Sequence, residues 1–579
     1  MSSPIRPEVE VMDSLPDLSL RSETVGALPI VNRFLERLGL EACLEGALRA
    51  GNGRAGLRPA RGLTVLLRNL LLARQPLYSQ REWTGRMAPE LLGLRPQDVS
   101  RLTDDCLGRA LDRLFDADRA TLLTEVVLRT VREFDIALDQ IHTDSTTVTF
   151  SGEYELATGR RLRGKKALRI THGHNKDYRP DLKQLLFSLT LSADGAVPVH
   201  YRAADGNTTD DKTHIATWEA LRQLAGEPGF LYVADSKLCT RENLHYIAQR
   251  QGRFITVLPA TRSEDRFFRD WLQTHTPVWE PVASRWNPRR RSGPPSIWKA
   301  MEAPMNSVEG YRIVWVWSSL KAVHDEAARQ ARLEKAYLGL EGFRKKLAGP
   351  RCRYKSREMV VAAAEKLVQA CGAERWTRVE VKEKEEPCFR QEKRGRPGKA
   401  TRYRRRNRLR FDVAWAPNGE TIDYDVRCDG IFPLITNDRK LSLAEILKAY
   451  KYQPRLEKRH AQMKSTYRVA PVLLKNEGRV EALLFLYFLV HLIQSLIERE
   501  VRQGMKAAGL KKLPLYPEGR PCQAPCTERI LEIFEGLQRH HLLRGPKRVQ
   551  VFEPKLDKLQ KQVLGLLHVP ATAFTHSRI

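Results

Sequence analysis

The chain has 579 residues and 42% hydrophobic content, enough for roughly two to four domains with packed cores, so it is globular. Against 69 acidic residues stand 98 Lys and Arg, a net charge of +29 that exceeds what solubility requires and points to a polyanionic partner such as nucleic acid. Nine cysteines without paired spacing argue against a disulfide framework. The start MSSPIRPEVEVMD lacks a signal pattern, so a cytoplasmic protein is expected. No membrane span is expected either: the most apolar stretch, residues 482–497, is broken by His491 and Gln494 and falls short of the ~20 residues a span requires.

From about residue 25 to 134 apolar residues recur at helical spacing, as in VNRFLERLGLEACL and LTVLLRNLLLA, with Arg on the polar faces. Residues 1–134 are therefore expected to form an all-helical N-terminal domain, whose Arg-bearing faces fit DNA docking and equally fit an ordinary solvated surface. Near Asp135 the texture changes to short β-branched and aromatic runs. ALDQIHTDSTTVTFSG, LKQLLFSLTLSADG and VPVHYRAADGN read as a three-strand meander. Helix DKTHIATWEALRQLA, strand FLYVAD, helix RENLHYIAQRQ and strand RFITVLP follow. This order is that of a ribonuclease-H-like core, a mixed α/β sheet with helices on its faces, assigned to residues 135–264.

After Pro259 the order is interrupted, and residues 265–425 read as an inserted α+β basic module. It holds the turn-rich run KRGRPGKATRYRRRNRLR and strand-like pieces such as TRVEVKEKE and LRFDVAWA. The core is expected to resume over residues 426–505 with strand DGIFPLITN and helix LSLAEILKAYKYQPRLEKRHAQMKS. The apolar stretch 480–502 reads as a buried helix beside it, and residues 506–579 as a helical C-terminal tail.

Asp144, inside the first strand in IHTDSTT, and Asp235, ending the fourth in LYVADSK, would face the same sheet edge, because strands one and four are neighbours in this order. Hard divalent ions take oxygen ligands, and a two-ion site needs a third carboxylate. The candidates are Glu445 and Glu457. Glu457 is favoured because Tyr450, Gln453, Glu457 and Lys464 follow Y-x2-Q-x3-E-x6-K, offsets that align them on one helix face. Pro454 can kink or begin that helix, leaving Tyr450 the least secure of the four.

This spacing resembles the Tyr-Arg-Glu-Lys signature of a large group of bacterial insertion-sequence DDE transposases, the subgroup with a long insertion before the Glu. GHNKDYRPDLKQ (173–184), DGNTTD (205–210), ADSKLCTREN (234–243) and DGIFPLITN (429–437) extend the resemblance over most of the chain. Gln453 stands where the family has Arg, and Arg455 lies two residues on. The resemblance implies Asp144, Asp235 and Glu457 as catalytic ligands of two Mg²⁺ (or Mn²⁺) ions, cutting DNA at transposon ends and joining the freed 3′-OH to target DNA. It also implies contacts from Tyr450, Gln453, Arg455 and Lys464 to the DNA backbone. The implied partners are double-stranded DNA, as terminal inverted repeats and target, and a second copy of the chain in the synaptic complex.

Arg394, Arg396, Arg404, Arg405 and Arg406 in the basic run are further DNA-contact candidates, on a flexible tether or a minor-groove arm. His142 and His174 flank the proposed site, more as packed residues than as ligands. Cys522 and Cys526 with His540 and His541 lack a zinc finger's spacing and order. Two other functions fit the same residues: a ribonuclease-H-like DNA nuclease that cuts without joining, and a non-catalytic DNA-binding derivative, against which the intact Asp, Asp, Glu set argues.

Overall fold

The computed structural model describes residues 18–48, 57–286, 293–350, 352–466 and 474–575. It is a mixed α/β protein of two compact units, one running to Phe254 and resuming at Ala449, the other spanning Ile255–Lys448. The second unit encloses residues 265–425 of the expected insertion. It also takes in 426–448, which the sequence pattern assigned to the resumed core.

In the first unit, amphipathic helices Leu28–Arg37, Leu40–Ala47, Pro59–Leu72, Asp104–Asp116 and Arg119–Phe134 follow the apolar periodicity of the sequence. Thr103 and Asp118 cap the last two, accepting from Cys106 N and from Ala120 N and Thr121 N. These helices gather around Glu477–Ala507, which is buried along nearly its whole length. Among the described residues this is the one helix long and apolar enough to cross a membrane, yet 94% of its apolar window is buried inside the protein. Arg479 bonds Asp112 (2.8 Å) and Arg119 bonds Glu481 (2.8 Å), tying its N-terminal turns to the helical layer.

The ends of this unit depart from the all-helical expectation. Strand β1 (Leu18–Thr24) pairs antiparallel with Gln538–Arg544, which turns at Gly545 (φ +55°) into Lys547–Phe552, giving a three-stranded sheet. The tail is therefore strand as well as helix. The partners lie more than five hundred residues apart, so no local pattern signals the pairing.

The central sheet of the first unit runs in the order β4-β3-β2-β5, from β2 (Gln140–Phe150), β3 (Lys183–Ser192), β4 (Pro198–Ala204) and β5 (Leu231–Ala234). The meander β2-β3-β4 is antiparallel and β2–β5 is parallel. Helices His214–Ala225 and Arg241–Gln249 flank β5 in sequence, so β5 reaches β2 through a helical crossover.

The second unit opens with β6 (Arg253–Val257) and carries β7 (Glu280–Arg285), β8 (Ser296–Glu302) and β9 (Arg312–Ser318). A ribbon of β10 (Thr377–Gln391) and β11 (Tyr403–Pro417) follows, then β12 (Ile431–Thr436). Its sheet order is β6-β12-β9-β8-β7. The base of the ribbon rests on helices Ser319–Ala348 and Arg357–Ala370 through a separate core of Leu340, Phe343, Val360, Val368, Val381, Phe411 and Val413. The basic run is thus half strand, which corrects the expectation of a flexible tether.

Candidate active site

The parallel register pairs Thr143 with Ala234. One residue later, Asp144 lies within β2, which runs on to Phe150, and Asp235 lies just past the end of β5, so the two stand side by side where β5 ends. Asp144 accepts from Ser145 N (2.8 Å) through Oδ1. Asp235 caps the short helix Ser236–Leu238, accepting from Lys237 N (3.0 Å). Burial raises the Asp144 pKa above the usual carboxylate range. Burial, and then the neighbouring charge of Asp144, push Asp235 up to about 6. The pair is held where two negative charges are costly.

The Glu457 helix reaches this edge by two clamps. Gln453 begins it, donating through Nε2 to Thr143 O (3.4 Å) and accepting from His142 Nδ1 (3.0 Å) through Oε1, which pins its first turn to β2. On its other side the buried Arg459 bonds the buried Glu498 (3.0 Å) of the long apolar helix and Gln462 Oε1 (3.0 Å). The expected neighbour relation between these two helices is thus present. Glu457 is exposed on the first turn.

The single helix expected across Tyr450 to Lys464 is instead three pieces: Leu443–Tyr450, Pro454–Ala461 and a π turn Gln462–Thr466. Pro454 has no N–H to continue the ladder, so Tyr450 leaves the common face. It still belongs to the site: burial, then Asp235, Glu457 and Asp144 in that order, raise its phenol to about 12. Arg455 is exposed, and Lys464, displaced by the π turn, bonds Asp177 (2.6 Å). Glu445 accepts from Ser442 N (2.8 Å) and Oγ (2.7 Å), capping its own helix.

Two residues of the site were not singled out in the sequence. Lys176 donates to Ser145 O (2.8 Å) and meets Asp210 Oδ2 (2.8 Å), with Asp144 Oδ1 at 3.8 Å. Asp210 in turn raises both Asp144 and Asp235, making it a fourth carboxylate of the cluster. Both lie inside sequence motifs noted above, GHNKDY and DGNTTD. The signal that could have found them was Asn175, whose Oδ1 accepts from Asp177 N (2.8 Å) and Arg179 N (3.2 Å) and so folds the turn that presents Lys176.

His142 is buried and neutral, its pKa lowered to about 4 by burial, with Nε2 facing Gln140 Nε2 (2.8 Å). His174 is exposed. His460 approaches Asp144 Oδ2 at 3.8 Å, but burial, then Lys176 and Lys464, lower it to about 3. The approach is not an ion pair at neutral pH. His540 bonds Ser22 Oγ (2.8 Å) and His541 lies 3.3 Å from Glu23, so both serve the terminal sheet.

Asp144 and Asp235 suit a hard divalent cation in kind: oxygen donors only, both destabilised as a pair of anions. Among the described residues no three His, Cys, Asp or Glu side chains are already gathered closely enough to hold a metal. Glu457 is not drawn into a ligand set with the pair, and the cation beside Asp144 is Lys176. In the second unit, Arg404, Arg405 and Arg406 stand exposed on β11, and Arg394 and Arg396 on the loop that joins it to β10.

Residues 20–128 match a family model described as a domain of unknown function, DUF4277. No curated protein matches the chain. Among solved structures it is similar to the piggyBac transposase synaptic complex with hairpin DNA, at 9% identity and a TM-score of 0.32, covering 88% of this chain and 78% of that one. It is also similar to the Mos1 transposase paired-end complex with left transposon end, at 11% identity and a TM-score of 0.14, covering 38% of this chain and 63% of that one. Both TM-scores are too low for a common fold to follow from them.

Proposed function

We propose that the chain is a DDE transposase, cutting DNA at the ends of an insertion sequence and joining those ends to target DNA. The observation that carries this reading is the parallel β2–β5 register, which sets Asp144 and Asp235 side by side. The order β4-β3-β2-β5 supports a ribonuclease-H-like core, and the Tyr450, Glu457, Lys464 spacing supports the insertion-sequence group.

Asp144, Asp235 and Glu457 would hold two Mg²⁺ or Mn²⁺ ions, which supply Lewis acidity to the attacking and leaving oxygens of a phosphodiester. The chain's own residues do the positioning. Gln453 and Arg459 fix the approach of the Glu457 helix, and the buried sheet edge lowers the dielectric around the reacting phosphate. Tyr450 donates a hydrogen bond and Lys464 a point charge to the DNA backbone. Strand transfer at both ends of an element requires two such sites, hence a dimer on DNA, acting in the cytoplasm.

The test uses purified full chain, Mg²⁺ or Mn²⁺ and labelled DNA carrying the element's terminal inverted repeat. Cleavage with strand transfer is expected. Asp144→Asn, Asp235→Asn or Glu457→Gln should each lower cleavage about a hundredfold or more, the equivalent of several kcal/mol of lost charge stabilisation, while duplex binding persists. Cleavage without transfer would make the protein a nuclease. A wild-type cleavage rate in any one variant would remove that carboxylate from the site.

A further inference from the structure

The β10–β11 ribbon is sharply divided in charge along its length. Its base, residues 377–386 and 409–417, carries four basic and five acidic residues, and its outer half, residues 387–408, carries ten basic residues and one acidic. The base is internally neutralised: Arg344 bonds Asp412 (2.9 Å), Arg410 lies 3.4 Å from Glu386, and Asn407 donates to Glu385 (2.9 Å). Among the described residues, no Lys or Arg of the outer half stands in an ion pair. Neutralisation stops where the apolar support stops.

The register gives this outer half a pair of unlike faces. Arg404 pairs with Arg390, Arg406 with Cys388 and Arg408 with Glu386, so four arginines share one face. The opposite face carries Arg405 beside exposed Phe389 and Tyr403, and continues at the base into the buried Phe411 and Val413. Two arginines directly opposite each other, as Arg390 and Arg404 are, repel one another and destabilise the pair. Stacking them along a projecting ribbon makes physical sense when a polyanion is the intended neighbour. Arg390, Arg404 and Arg406 also line a concavity of about 590 Å³ with Lys393 and Arg394.

We propose that the outer ribbon enters the major groove of double-stranded DNA, with the face of Arg390, Arg404, Arg406 and Arg408 turned to the groove floor and walls. From Glu383–Phe411 to Gln391–Tyr403 the paired strands extend eight residue steps, about 27 Å at the usual rise. The major groove is about 12 Å wide and admits a two-stranded ribbon, whereas the minor groove, about 6 Å wide, does not. Arginine is the residue that reads guanine O6 and N7 from such a position. A-form RNA, with its deep and narrow major groove, is excluded as the ligand.

The inference rests on the proposed action on duplex DNA and is separable from the catalytic reading. Full-length protein is compared with R404A/R406A/R408A and with R405A on the opposite face, using a short duplex, a salt titration and dimethyl sulfate footprinting. The triple variant is expected to bind at least tenfold more weakly, with a log–log salt slope shallower by about one unit per arginine. It is also expected to lose protection of guanine N7, which lies in the major groove, while R405A changes little. Unchanged binding and footprint in the triple variant, protection confined to adenine N3, or equal affinity for duplex RNA would each overturn the proposal. These readouts need no cleavage: a chain that footprints as expected but never cuts defeats the transposase reading alone. A chain that cuts and joins with an unaltered footprint in the triple variant defeats the ribbon alone. Circular dichroism verifies that the substitutions, at exposed Arg404, Arg405 and Arg406 and at half-buried Arg408, leave the fold intact.

Discussion

Lys176 is the ammonium seated in the carboxylate cluster, 3.8 Å from Asp144 and 2.8 Å from Asp210, and its position makes it a competitor for any divalent ion that binds there. Removing it leaves those acids facing each other uncompensated. Lys176→Met is therefore expected to lower the thermal midpoint of the metal-free protein and to raise Mn²⁺ affinity several-fold by electron paramagnetic resonance. Unchanged or weaker Mn²⁺ binding would assign Lys176 to the loop rather than to the metal locus. At this scale the side-by-side placement of the two aspartates was legible in the order of the strands, which predicts that the strand of Asp235 pairs with that of Asp144. Lys176 and Asp210 were not, because their meeting depends on an Asn175 turn and a loop after β4, neither of which has a period. Gln453 read as a departure from a DNA-contacting arginine. Its hydrogen bonds to His142 and Thr143 fasten a helix to a strand.

The element that carries Glu457 is short, and its placement depends on what lies behind it. Arg459 and Glu498 are almost fully buried, and Glu498 also accepts from Arg502 (3.1 Å) and from Thr527 N (3.2 Å). Burial would raise this carboxyl, but Arg459, Arg502 and Lys458 hold it below the usual carboxylate range. Arg459→Leu strands that charge in the core and is expected to cost about 3–5 kcal/mol in urea unfolding. Pairing it with Glu498→Gln should recover some of that loss, and failure to recover any would mean that packing, not charge, is what Arg459 supplies. Sequence pattern recovered the existence of both helices and their adjacency. It left continuity open at Pro454, since a 3.6-residue period runs through that residue, and in the folded chain the missing N–H ends the ladder there and a new helix begins. The ribbon was likewise read as separate basic and strand-like pieces, because only the cross-strand register joins them.

Across the molecule, buried imidazoles set the response to acid. His142 and His214 are lowered to about 4, and His460 and His491 to about 3, in each case chiefly by burial. Their unfolded values lie near 6.5, so between these limits the unfolded chain binds the extra protons and stability falls as pH falls. Asp235, raised to about 6, acts in the opposite sense over about pH 6 to 4, as do Asp144 and Glu481, whose carboxyls burial also raises, while His200, lowered to about 4, adds to the imidazole side. The urea midpoint is expected to be flat with respect to these histidines above pH 7 and to drop steadily from 6.5 to 5, each contributing on the order of 2 kcal/mol by the lower limit. A midpoint unchanged over that interval would mean that the rings are charged in the fold. The change of texture after Pro259 falls close to the start of the second unit at Ile255, and β12 has the composition of a core strand in either unit.

The pairing of β1 with Gln538–Arg544, and of the first helices with Glu477–Ala507, also imposes a schedule on synthesis. The N-terminal helices leave the ribosome with their apolar faces uncovered and stay so while about 340 further residues are added, tens of seconds at ordinary elongation rates. Residues 255–448 emerge within that interval and hold their own core, so they can fold first. Protein from an interrupted message would then combine a finished second unit with an open, sticky first one, a form suited to rapid removal by chaperones and proteases.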